Sequence, residues 1–196
     1  MAIVWCVRDG AEKLIAAIWL VGLVFWIVAA FGVKRTKLAM PRPQQALHHL
    51  MSFSSFVLMV WPVAHRGFLG YRLLPETEGI LLSGIAVLAA GMAFTLWARV
   101  SLGRNWSATV AIKEDHRLIR AGPYAVTRHP IYTGLIASVA GTGLALGEIR
   151  HVLAVALFAA AFWLKSRLEE RWLLQEFGDD YRRYQREVPA LIPFFR

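Results

Sequence analysis

The sequence predicts an all-α protein, a polytopic bundle of about five membrane helices with a cytoplasmic C-terminal helical lid. Three observations lead there. Of 196 residues, 57% are hydrophobic, 12% aromatic and only 18% charged, the balance of a membrane protein. Five apolar stretches follow one another, at 14–33, 47–64, 79–100, 131–147 and 151–164. The basic residues gather on alternate connections between them.

The first stretch, Leu14 to Val33, and the third, Gly79 to Val100, reach the ~20 residues that a helix needs to cross the hydrocarbon core. The first is read as a retained helix. Its apolar run exceeds the ~7–15 residues of a signal-peptide core, and no small-residue cleavage site follows. The second, Leu47 to Ala64, starts with His48 and His49 and has Pro62 near its end, with the histidines facing headgroups. The fourth, Ile131 to Gly147, and the fifth, His151 to Leu164, are short and separated only by Glu148, Ile149 and Arg150. They read as a tight helical hairpin. Beyond it, EERWLLQEFGDDYRRY places Trp172, Leu173, Phe177, Tyr181 and Tyr184 near helical spacing. Gly178 before two aspartates marks the end of one helix and the start of another.

Arg8, Lys13, Arg66, Arg72 and Arg150 fall on one side of this arrangement and all other lysines and arginines on the opposite side. The positive-inside rule then predicts an outer N-terminus, a cytoplasmic C-terminus and, for a short chain of bacterial style, residence in the inner membrane. The formal net charge of +9 follows from that topology. It does not argue for nucleic acid, because no soluble domain carries a basic face. The one cysteine, Cys6, excludes an intrachain disulfide and a cysteine-based zinc site. The six histidines lack zinc-hydrolase spacing, so no metal is expected. With no internal repeat, 1–196 reads as one domain, in which 1–100 supplies three membrane helices and 101–196 a polar, hairpin-bearing half.

The stretch GPYAVTRHPIYTG, Gly122 to Gly134, sets Arg128, His129, Tyr124 and Tyr132 at the entrance to the apolar hairpin. The guanidinium of Arg128 can hold a carboxylate by two parallel hydrogen bonds, while Pro130 starts the next helix. Glu169 and Glu170, where the fifth segment leaves the membrane, can hold an amine, a ribose hydroxyl or Arg128 itself. Trp106, Tyr124 and Tyr132 offer flat faces for an adenine ring or a sulfonium, and Gly122, Gly134, Gly141 and Gly143 allow close approach. Each feature has a plainer reading: Arg128 and His129 as boundary anchors, the acidic pair as a solvated helix face, the aromatics as an interfacial belt, and His116 and His151 as surface residues. Composition and spacing stop at a small membrane protein with a cytoplasmic polar pocket.

HRLIRAGPYAVTRHPIYTG, the acidic pair Glu169 and Glu170, and FGDDYRRYQREVPALIP occur in an order that resembles the isoprenylcysteine carboxyl methyltransferase and phospholipid methyltransferase superfamily, over Leu102 to Pro193. The resemblance implies a helical bundle whose C-terminal half encloses S-adenosylmethionine. No Rossmann domain is implied, and none of the plausible strands here is followed by a G-x-G-x-x-G turn. It further implies that His116, Leu118, Gly122, Tyr124, His129, Pro130, Tyr132 and Gly134 line the cofactor site. Glu169 and Glu170 would close it, and Tyr181, Tyr184 and Pro189 would belong to the lid around it. Arg128 and Glu169 would carry the catalytic roles, Arg128 orienting the carboxylate of the substrate or of the cofactor.

The implied reaction is methyl transfer to a lipophilic acceptor drawn from the bilayer. The chain resembles the prenylcysteine branch of the superfamily in LGRNWS and in the spacing from RHP to the acidic pair, which implies a prenylcysteine carboxylate as acceptor. A phosphatidylethanolamine amine is the alternative and would require Glu169, Glu170 or His129 as a base. An NADPH-dependent sterol reductase and a non-enzymatic membrane protein are the remaining readings.

Overall fold

A computed structural model of the chain describes residues 2–31, 36–39, 42–60, 67–103, 111–113 and 118–193. His116 and Trp106 lie outside them. Among the described residues the helices are α1 (Ala2–Ala29), α2 (Arg42–Val60), α3 (Glu78–Leu102), α4 (Pro130–Leu146), α5 (Ile149–Phe177) and α6 (Asp179–Glu187). Two short strands, β1 (Thr36–Ala39) and β2 (Ala111–Lys113), pair antiparallel with Leu38 opposite Ile112. The sequence reading contained no strand, since segments of four and three residues carry too little pattern to be seen. Their pairing joins the connections after α1 and α3, which the alternating topology also puts at one end of the bundle.

Three of the helices, Asp9–Ala29 within α1, α3 and α5, are long and apolar enough to cross a membrane. That is fewer than the five expected. α4, with 17 residues, reaches about 25 Å and stops short of a ~30 Å core. α2 is diluted by glutamine, histidine and serine. α5 departs furthest from expectation: it runs unbroken to Phe177, because charged residues on a helix surface do not stop it and no breaker precedes Gly178. Gly178, at φ 53°, then ends α5 and starts α6, as its place before two aspartates foretold.

α3 and α4 lie antiparallel with almost nothing between their backbones. A Cβ on Gly84 would meet the Ala145 backbone at 2.4 Å, and one on Gly141 would meet the Leu88 nitrogen at 2.3 Å. Close packing of small residues is what holds helices together where lipid removes the hydrophobic drive. Ser138 Oγ donates to Gly134 O (2.9 Å), Thr142 Oγ1 to Ser138 O (2.9 Å) and Trp19 Nε1 to Thr142 Oγ1 (3.1 Å), which ties α1 to the pair. α2 lies antiparallel to α5, with Ser55 Oγ donating to Ala154 O at 2.8 Å.

The hairpin tip corrects one expectation. His151, expected at the surface, is fully buried, and its Nδ1 accepts from the Glu148 backbone N–H at 3.2 Å in a capping box. Gly147, at φ 72°, reverses the chain within a few residues, so the start of α5 lies inside the bundle. Arg150 is buried with it. Its Nε donates to Glu148 Oε2 (2.6 Å) and its Nη1 to Met59 O (3.1 Å), closing the carbonyl end of α2.

Gly141→Val places atoms where the Leu88 backbone stands and is expected to cost about 1–3 kcal/mol. Thermal unfolding in detergent should show the loss, while Gly10→Ala, exposed within α1 and with nothing within 4 Å of the added Cβ, should leave the midpoint unchanged or slightly raised.

Candidate active site

The residues that the sequence singled out meet at the end of the bundle where α1, α3 and α5 terminate. A short 3-10 turn at Gly122–Ala125 precedes α4, with Gly122 at φ 63°. Pro123 and Tyr124 are buried beneath it, Tyr124 against Ala98 and Ile131. Pro130 occupies the first position of α4, where its missing N–H is no loss, and His129 caps the helix. Arg128 and His129 therefore stand at a fixed helix entry, facing α5.

Glu170 is the centre of the cluster. Arg128 donates from Nε to Glu170 Oε1 at 2.8 Å, and its Nη2 lies 2.7 Å from the same oxygen. His129 Nε2 lies 3.1 Å from Oε1, and Gln185 Nε2 donates to Oε2 at 3.1 Å. The remaining guanidinium nitrogen, Nη1 of Arg128, donates to the carbonyls of Gln185 (3.0 Å) and Val188 at the end of α6. Glu169 Oε2 accepts from Tyr132 Oη at 2.7 Å and lies 3.5 Å from His129 Nδ1. Consecutive helix residues point about 100° apart, yet both carboxylates reach His129 because the imidazole sits between them. The His129 and Tyr132 rings stack at 5.4 Å with an interplanar angle of 3°. Glu170 is 8% exposed against 31% for Glu169, so Glu169 is the acid reachable from outside.

The C-terminal segment folds back over this cluster. Tyr181, Tyr184 and Val188 are buried against Leu118, Leu173, Leu174 and Phe177. Tyr184 Oη donates to Tyr124 O at 2.6 Å. Past α6 the chain runs along the entry to α4, where Arg128 N donates to Pro189 O (2.8 Å), His129 N to Ala190 O (3.1 Å) and Thr133 Oγ1 to Leu191 O (2.6 Å). Burial, the largest influence, raises Tyr124, Tyr181 and Tyr184 above the usual phenol range, so all three phenols remain neutral. For His129 burial acts in the opposite sense, but the hydrogen bonds and charges of Glu169 and Glu170 outweigh it and raise the imidazole above its ordinary 6.5.

Of the expected site residues, Arg128, His129, Tyr132, Glu169 and Glu170 form one connected cluster, while Leu118, Tyr181 and Tyr184 lie in the layer above it. Gly134 faces α3 instead, where an added Cβ would meet Thr95 Oγ1 at 2.3 Å. The acidic pair is no solvated face: it turns inward to His129, Tyr132 and Arg128. The sequence reading missed Gln185 and Thr133, whose roles depend on the fold-back.

Residues 84–175 match the isoprenylcysteine carboxyl methyltransferase family. A protein-S-isoprenylcysteine O-methyltransferase of Schizosaccharomyces pombe is 28% identical over 179 residues, spanning 88% of this chain and 68% of that protein. Protein-S-isoprenylcysteine O-methyltransferase B of Arabidopsis thaliana is 30% identical over 114 residues, 57% of this chain and 58% of its own. Among solved structures, the eukaryotic intramembrane Ras methyltransferase superposes with a TM-score of 0.52 at 25% identity, covering 80% of this chain and 55% of the other.

Glu170→Ala leaves Arg128 buried without its carboxylate and His129 with Glu169 alone, a loss of about 3–5 kcal/mol for a broken buried pair. Limited trypsin treatment should then cut at Arg182, Arg183 and Arg186 while the wild type resists. Because the folded imidazole of His129 titrates above 6.5, its contribution is complete below that pH and disappears as pH rises through the raised value. Histidine NMR should find His129 protonated above the ordinary range, and Glu169→Gln combined with Glu170→Gln should lower it below 6.5, since only burial then acts.

Proposed function

We propose that this chain is a member of the isoprenylcysteine carboxyl methyltransferase family, an integral-membrane enzyme that methylates the C-terminal carboxylate of a prenylated cysteine with S-adenosylmethionine. The observation that carries the reading is the Arg128–His129–Tyr132–Glu169–Glu170 cluster, set at the polar end of an apolar bundle and covered by the C-terminal segment. Its chemistry fits the cofactor: Glu169 offers an accessible carboxylate to a sulfonium, and Tyr124 and Leu118 supply apolar surface nearby. Held by Glu169 beside Tyr124 and Leu118, S-adenosylmethionine would supply an electrophilic methyl group on a sulfonium leaving group.

The chain's own part is positioning and exclusion of water. Arg128 and Glu170 hold α6 and residues 189–191 over the site, acting as a lid, and Glu169 is kept in place by Tyr132 and His129. A carboxylate acceptor is already ionised at neutral pH and needs no base. This matters for choosing between acceptors. An amine would require a proton acceptor, and His129, both of whose nitrogens face carboxylates and whose proton is held above the ordinary range, is poorly suited to that role. That leaves Glu169, already held by Tyr132, as the base an amine would need, whereas a carboxylate acceptor needs none, and on that ground the carboxylate reading is preferred to phosphatidylethanolamine. The basic-residue asymmetry supports a cytoplasmic site, with the cofactor entering from water and the lipid tail sideways.

Calorimetry on the detergent-purified protein tests the reading. Saturable binding of S-adenosylmethionine and S-adenosylhomocysteine is expected, weakened about tenfold or more in Arg128→Ala and Glu169→Ala, a 1.4 kcal/mol effect. A folded preparation that binds NADPH alone, or none of these ligands, would overturn it.

A further inference from the structure

A groove of about 220 Å3 lies between α2 and α5, outside the cluster described above. Leu47, His48, Met51, Ala161 and Leu164 form its sides, with Lys165 among them and Arg167 and Arg171 at its polar end. Leu47 and Leu164, 51% and 43% exposed, stand at its outer edge on two apolar helices, so the groove opens sideways into the bilayer. Its inner wall is fixed by His48, whose Nδ1 lies 3.3 Å from Ala161 O and whose ring meets Phe162 edge-on at 4.9 Å.

Lys165 joins the groove to the active site. It is 8% exposed, and its Nζ lies 5.2 Å from the Tyr132 ring centroid and 5.7 Å from that of Phe162. Tyr132 is the ring on which His129 stacks and whose hydroxyl holds Glu169. A carboxylate at Lys165 therefore stands one aromatic ring away from the proposed cofactor pocket. Arg128, the residue that the sequence suggested for this task, points elsewhere: its Nε, Nη1 and Nη2 are directed at Glu170 and the carbonyls of Gln185 and Val188.

We infer that Lys165 is the residue that receives the carboxylate of the acceptor, whose apolar chain enters along the α2–α5 groove. The two ends of the groove differ as such an amphiphile requires, apolar toward the bilayer and cationic toward Lys165, Arg167 and Arg171. The volume is smaller than the ~300–1,000 Å3 of a complete small-molecule site, so it holds the head and the first part of the chain while the remainder lies in lipid.

The inference takes its acceptor from the methyltransferase reading but is tested by binding, without turnover. N-acetyl-S-farnesylcysteine and its uncharged carboxamide are titrated into the wild type, Lys165→Met and Lys165→Arg, with S-adenosylmethionine affinity as the check on folding. The wild type and Lys165→Arg should prefer the acid by about tenfold, the worth of one charge-assisted contact. Lys165→Met should bind acid and amide alike while keeping its affinity for S-adenosylmethionine. An undiminished acid preference in Lys165→Met would overturn the inference, as would equal competition by phosphatidylglycerol, which would mark a lipid site. If the protein binds S-adenosylmethionine but neither probe, the inference falls and the methyltransferase reading stands. If it prefers the acid through Lys165 but binds no S-adenosylmethionine, the reverse holds.

Discussion

One carboxylate, that of Glu170, holds together three parts of the chain that are far apart in sequence. Its Oε1 faces Arg128 and His129 from the entry to α4, and its Oε2 accepts from Gln185 of α6. Arg128 extends the connection to the backbone at 185 and 188. Removing several charged groups from water is costly, and the cost is offset only when nearly every donor and acceptor is satisfied. The cluster thus behaves as a unit. Without Glu170 the guanidinium and the imidazole lose their common partner, and the C-terminal segment loses the side-chain tie that helps hold it over the site.

The rest of the bundle makes this possible by being rigid and apolar. α3 and α4 meet through Gly84, Gly91, Gly134 and Gly141 at distances that leave no room for a methyl group, so the entry to α4 cannot drift relative to α3. At the opposite end, Glu148, Arg150 and His151 lock the α4–α5 turn and the end of α2. Polar interactions concentrate at the two ends, where water or headgroups can satisfy what the protein does not. The middle is held mainly by backbone proximity and a few serine and threonine bonds to carbonyls.

This division suits a reaction between partners of opposite solubility. The cluster under α6 is polar and aromatic, and the α2–α5 groove is open to lipid, with Tyr132 and Lys165 at the boundary. In the proposed function, neither partner has to cross the other's solvent.

The membrane class, the break at Gly178 and the polar cluster around Arg128 and His129 were all legible in the sequence, because each depends on local composition or on a helix start and stop signal. The acidic pair was legible as a candidate, although its basic neighbours Lys165, Arg167 and Arg171 favoured the plainer reading as a solvated face. The burial of His151 and Arg150 was not legible, because it depends on a reversal at Gly147 packed against α2 and the loop at 71–73. The β1–β2 pairing is too short to leave a periodic signal. Gly134 was read as lining a site when its partner is α3. The assignment of Arg128 to Glu170 and of Lys165 to the groove is long-range, set by which face of α5 meets α2 and which meets α4. Local sequence determines what a helix can present. Only packing decides which neighbour receives it, and so which of two nearby cations clasps the C-terminal segment and which lines the α2–α5 groove.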